Sequence, residues 1–148
     1  MTLLRRALLI AVLFGAIGAL TAARAQTSPL GAALLQFEEA VTWDAVGQEW
    51  RGIRPGWLRQ VAAAKSPAEL AALLVSLETN MGWHAVEQRW RGRRDSWLAE
   101  AQRAGSDGAV ARLLLELEEN TLWSAVEQSW RNTRPRWVAQ VQRMAGAR

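Results

Sequence analysis

The stretch VTWDAVGQEWRGIRPGW, residues 41–57, decides the fold, because it recurs twice in the same chain without a gap. MGWHAVEQRWRGRRDSW stands at 81–97 and TLWSAVEQSWRNTRPRW at 121–137, a period of 40 residues. All nine tryptophans fall into one register: Trp43, Trp50 and Trp57; Trp83, Trp90 and Trp97; Trp123, Trp130 and Trp137. The same frame superposes Leu34, Leu74 and Leu114, then Glu38, Glu78 and Glu118, then Ala45, Ala85 and Ala125. It also superposes Val46, Val86 and Val126, Gln48, Gln88 and Gln128, Arg51, Arg91 and Arg131, and Arg54, Arg94 and Arg134. Self-similarity at a fixed period is the mark of a repeat architecture, in which each unit buries its apolar face against its neighbours. The units run 26–65, 66–105 and 106–145, and the first deviates by placing Gly31 and Gly47 at helical positions.

Each unit reads as helical. Ser66-Pro67-Ala68-Glu69 is a capping box with proline at the first helical position, and Leu70, Leu73, Leu74, Leu77 and Met81 follow as one apolar stripe. At 100° per residue Ala85 and Gln88 extend that stripe, while Trp83, Val86 and Trp90 fall on the opposite side. The favoured reading is therefore one unbroken helix of about 24 residues with a Leu/Ala face and a Trp face. Its rival breaks the helix at Asn80-Met81-Gly82 to give three helices per unit. Gly52, Gly92 and Asn132 stand where a left-handed C-terminal cap is expected. Pro55 and Pro135 then read as first-turn residues of a short second helix, near 55–64, 95–104 and 135–145. The expected fold is all-α: three tandem 40-residue helix-turn-helix repeats forming a small α-solenoid or a compact helical bundle. The period alone is close to that of HEAT and armadillo repeats.

A tryptophan at a fixed place in every unit is what an inter-repeat core position looks like, and each buried indole removes about 150–250 Å² from water. On this reading Trp43, Trp50, Trp83, Trp90, Trp123 and Trp130 build the core. Trp57, Trp97 and Trp137 lie beyond the expected turn and are the partly open set. With Arg51, Arg54, Arg91, Arg94, Arg131 and Arg134 they form the candidate ligand-binding residues, as aromatic platforms beside guanidinium groups. Glu38, Glu78 and Glu118 each supply one carboxylate per unit able to pair with those arginines.

The N-terminal segment reads as an export signal. Arg5 and Arg6 precede the apolar run at 7–22, and Ala23-Arg24-Ala25 forms a cleavage site, so a signal peptide over 1–25 and a helical domain over 26–148 are expected. An uncleaved anchor is the alternative, for which the apolar run is short. The chain carries 18 Lys+Arg against 14 Asp+Glu, and three of those bases lie in the signal segment, which leaves a near-neutral remainder. Nucleic acid is therefore not an expected partner. Zero cysteines exclude a disulfide framework and thiol chemistry.

Catalytic signatures are absent. The single histidine, His84, has Asp44 and Ser124 at its repeat-equivalent positions and reads as a solvated residue. No zincin, nucleophile-elbow or phosphate-loop pattern occurs, and no metal site or cofactor is expected. The expectation is an exported, non-enzymatic binding or scaffolding module in the periplasm or outside the cell. Its partner is a protein or an extracytoplasmic polymer such as peptidoglycan or polysaccharide, the latter held on Trp/Arg platforms. A membrane surface, where Trp and Arg are also favoured, is the weaker alternative because the charge is nearly balanced.

Overall fold

The computed structural model describes residues 27–146; the signal peptide read over 1–25 lies outside them. Among the described residues six α-helices run in chain order: α1 (Pro29–Ala40), α2 (Trp50–Ala63), α3 (Pro67–Asn80), α4 (Trp90–Arg103), α5 (Asp107–Glu119) and α6 (Trp130–Gly146). A 3-10 turn separates the two helices of each unit, at Trp43–Ala45, Trp83–Ala85 and Trp123–Ala125. The first helices begin as their sequences dictate. The hydroxyls of Ser28, Ser66 and Ser106 accept from the backbone N–H groups of Gly31, Glu69 and Ala109. Glu69 closes the capping box by reaching back to the Ser66 hydroxyl and to the Lys65 N–H.

The long helix is corrected: the chain breaks at Asn80-Met81-Gly82 as the rival reading has it, but each unit then holds two α-helices joined by a 3-10 turn and not three helices. Each first helix stops at Ala40, Asn80 or Glu119, and the chain runs extended on either side of the 3-10 turn. The helical hydrogen bonds forgone there are replaced by bonds between units. Gly82 N–H donates to the Ala45 carbonyl and Gly47 N–H to that of Asn80; Leu122 donates to Ala85 and Glu87 to Asn120; Thr42 donates to Ala125 and Glu127 to Ala40. Each pair frames a short antiparallel bridge, Val46 to Met81, Val86 to Thr121 and Val126 to Val41. β-Branched residues at most of these positions suit extended backbone better than helix.

The third of these junctions returns the last unit to the first, so the repeats form a closed ring and not an open superhelix. Leucine-rich helices α1, α3 and α5 touch one another at the centre. Each second helix packs on its own first helix and on that of the next unit, and α6 completes the cycle on α1. Leu34, Leu74 and Leu114 are buried at the heart of this core. Ala45, Ala85 and Ala125 form a separate small cluster where the three 3-10 turns meet. Alanine is what three chains converging on an axis leave room for. A rotation that closes after three units leaves no end repeat needing a polar cap.

The second helices also start earlier than expected. Gly52 and Gly92 lie inside α2 and α4, Asn132 lies inside α6, and no glycine among the described residues has a positive φ. These positions are not caps. Pro55 and Pro135 stand within their helices, not at the first turn.

Candidate functional site

Starting each second helix at Trp50, Trp90 or Trp130 puts the next tryptophan seven residues on, two turns along the same helical face. Trp50 and Trp57 therefore meet edge to face with centroids 5.3 Å apart, as do Trp90 and Trp97, and Trp130 and Trp137. Trp57, Trp97 and Trp137 are 2%, 0% and 1% exposed, which overturns their expected role as open platforms. Their indole N–H groups donate across the unit boundary, to the carbonyls of Leu73 (2.8 Å), Leu113 (3.1 Å) and Ala33 (2.9 Å). They are the joints of the ring.

The opposite correction applies to the first tryptophan of each unit. Trp43, Trp83 and Trp123, expected in the core, are 49%, 49% and 50% exposed. The extended residues that interrupt the helix uncouple them from Trp50, Trp90 and Trp130, which do sit in the core. Variation of the neighbouring position among Asp44, His84 and Ser124 was the signal available for this: a buried turn tolerates such exchange poorly. His84 itself is exposed, with Nε2 2.7 Å from the Asp44 carbonyl oxygen.

Around each open indole the same cluster is built. Glu38, in the last turn of α1, is buried, and its Oε1 accepts from Trp50 Nε1 (3.2 Å) and Arg54 Nε (2.6 Å) while Oε2 accepts from Arg54 Nη2 (3.0 Å). Glu118 repeats this with Trp130 (3.3 Å) and Arg134 (2.5 and 3.0 Å). Glu78 takes Trp90 (3.4 Å) and Arg94 Nε (2.5 Å), and its Oε2 is buried without a hydrogen-bond partner among the described residues. Hydrogen bonding to the carboxylate raises the pKa of Arg54, Arg94 and Arg134 above the ordinary arginine value, against the opposing effect of burial. These three arginines stay charged and are held at fixed angles.

Both arginines of each unit lie over the open indole. Arg51 and Arg54 place their guanidinium carbons 4.9 and 5.7 Å from the Trp43 ring centroid; Arg91 and Arg94 lie 5.0 and 5.9 Å from Trp83; Arg131 and Arg134 lie 4.8 and 5.8 Å from Trp123. The guanidinium groups expected beside Trp57, Trp97 and Trp137 thus lie beside the first tryptophan of each unit instead. Residues three apart share one side of a helix, so both guanidinium groups approach the indole from the α2, α4 or α6 side. Half-exposure is what such one-sided cover leaves. Arg51, Arg91 and Arg131 make no ion pair among the described residues.

Beside Trp43 lies a recess of about 220 Å³, with Val41, Val46 and Leu77 in its apolar lining and Glu38, Glu39, Arg54 and Glu127 as its polar one. Its counterpart beside Trp83, about 180 Å³, is lined by Met81, Val86, Thr79, Glu78 and Arg94. Since Ala45, Ala85 and Ala125 touch, and each open tryptophan lies two residues from its alanine, the three clusters surround one end of the ring. Backbone reach limits their Cα separations to about 20 Å.

The class this fold defines is a closed ring of three helical hairpins, each hairpin broken by a 3-10 turn that displays one tryptophan. The chain is similar over residues 24–82 to a family described as Domain of unknown function (DUF8799). That span takes in α1, α2 and α3 as far as the extended residue Gly82. No curated protein and no solved structure matches the chain.

Proposed function

We propose that this protein is an exported, non-enzymatic binding module whose recognition surface is the turn end of the ring. The observation that carries the reading is the threefold display of a half-exposed tryptophan under two arginines, anchored on a buried glutamate. An exposed indole lowers solubility and is not needed by the core, since the other six tryptophans already fill it. Repetition of the same side chains at three places around one axis supports multivalent attachment, where weak individual contacts combine. Export rests on the charged, apolar and A-x-A pattern of residues 1–25. The non-enzymatic reading rests on the clusters themselves, whose shared members are indole, guanidinium and an arginine-bound carboxylate, with no nucleophile and base in common.

The test is co-sedimentation of the mature protein with insoluble envelope polymers, peptidoglycan sacculi and polysaccharide, beside lipid vesicles. The expected result is binding to at least one of these that is lost in the triple variant Trp43→Ala, Trp83→Ala, Trp123→Ala and retained in Arg112→Ala, which lies away from the clusters. Equal binding by the triple variant would show that the attachment surface is elsewhere. Acrylamide quenching adds an independent check, since only three of nine indoles are open. A protein without a quenchable fraction would have no such platform.

A further inference from the structure

Resting on the reading of the turn end as a recognition surface, we infer that its ligand is an uncharged polysaccharide, taken one sugar ring per cluster. Charge decides among the polymers that an aromatic platform serves. Segment 38–54 contributes four acids and two arginines, 78–94 two acids and four arginines, and 118–134 three acids and two arginines. Together nine acids against eight bases leave this end without the clear positive excess that a polyanion or an anionic bilayer needs, although the second segment taken alone is positive. At the first cluster, Glu38, Glu39 and Glu127 outnumber Arg54 around the recess and would repel a carboxylated sugar.

The chemistry that remains suits hydroxyl groups. A pyranose offers an apolar C–H face to one side and a rim of hydroxyls. The face of Trp43 turned away from α2 is the apolar platform. Arg54 uses Nε and one Nη2 hydrogen on Glu38, so three of its five N–H donors are left for a ligand. The carboxylate alongside accepts, which gives a fixed donor and acceptor for neighbouring hydroxyls. Recesses of about 220 and 180 Å³ fall below the roughly 300 Å³ of pockets that enclose a drug-sized ligand, and fit a single ring. The protein thus holds each glutamate–arginine pair in place before any ligand arrives, which lowers the ordering cost of binding.

The experiment titrates the mature protein with uncharged hexasaccharides of glucose, mannose, xylose and N-acetylglucosamine, reading the heat of binding for every variant and, in the native protein, tryptophan emission and acrylamide protection as well. Saturation by at least one sugar below about 10 mM is expected, consistent with millimolar sites. The response should be unchanged between about 50 and 500 mM salt, because screening does not act on a neutral ligand. The Trp43→Ala, Trp83→Ala, Trp123→Ala variant should lose affinity at least tenfold with an unaltered far-UV spectrum, and the corresponding Phe variant should recover part of it. No saturation by any of the four sugars overturns the inference, as does binding that survives loss of all three indoles. Salt-sensitive, Trp-dependent binding to polygalacturonate or anionic vesicles, with none to neutral sugars, overturns the neutral-sugar assignment and leaves the recognition surface standing. Absence of any quenchable indole would remove both.

Discussion

Replacing Trp137 by alanine tests ring closure directly. In a ring this indole lies between the third unit and the first. It is 1% exposed, sits 5.9 Å from Phe37 and 5.3 Å from Trp130 between centroids, and donates to the Ala33 carbonyl at 2.9 Å. In an open stack it would belong to a terminal unit and face water. Burying 150–250 Å² at about 25 cal/mol per Å² gives roughly 4–6 kcal/mol, and measured Trp→Ala losses in cores are about 3–5. We take about 4 kcal/mol, the lower end of the first range and the middle of the second. Against a total stability of about 5–15 kcal/mol this is a large share, and it corresponds to a fall in Tm of more than about 10 °C. The assay is urea unfolding followed by far-UV circular dichroism, comparing Trp57→Ala, Trp97→Ala and Trp137→Ala. Three similar losses are expected, because the three indoles make equivalent contacts. A loss below about 1 kcal/mol for Trp137→Ala, with the other two above about 3, would refute the closed ring.

Gly92→Ala should stabilise the protein by about 0.5–1 kcal/mol, since the position is helical and an added Cβ meets nothing within 4 Å; a loss in Tm would restore the glycine as a helix cap. Glu118→Leu should cost about 2–3 kcal/mol, chiefly by leaving the buried Trp130 N–H without an acceptor, while the one-third-exposed Arg134 turns to water. Glu118→Gln keeps an acceptor in place and should cost about 1 kcal/mol by urea midpoint; a ranking in which Gln is the worse would contradict this. Glu100 has its pKa lowered from the ordinary 4.5, first by its hydrogen bonds from Arg93. The folded form therefore binds its proton less readily, and the contribution of this exposed pair is present above 4.5 and lost as pH falls through the lowered value. Arg93→Ala should flatten the acid limb of a stability curve taken from about pH 7 to pH 3, and an unchanged limb would deny the coupling.

Much of this architecture was legible without coordinates. Nine tryptophans in one 40-residue register, the Ser-Pro start of the second unit and the leucine stripe of α3 announced three helical units with a shared core. The site was legible as a set of residue types, indole with guanidinium and carboxylate, and Glu38, Glu78 and Glu118 do pair with Arg54, Arg94 and Arg134. Which tryptophan of each unit joins them is the reverse of what helical spacing predicts. Helical periodicity carries no term for hydrogen bonds to another unit, and those bonds are what allow the chain to leave the helix at Val41, Met81 and Thr121.

What the sequence determined by itself was therefore the repeat, its helical content and its stock of chemistry, because these depend on residue identity and local spacing. The tertiary structure decided the break before each 3-10 turn, the exchange of Trp57 for Trp43 at the surface and the return of α6 to α1. All three arise from contacts between units, at separations that run from 16 residues for Trp57 with Leu73 to 104 for Ala33 with Trp137. A local pattern is the same whether three units stack in a line or close in a circle; only the angle at which one unit meets the next distinguishes them.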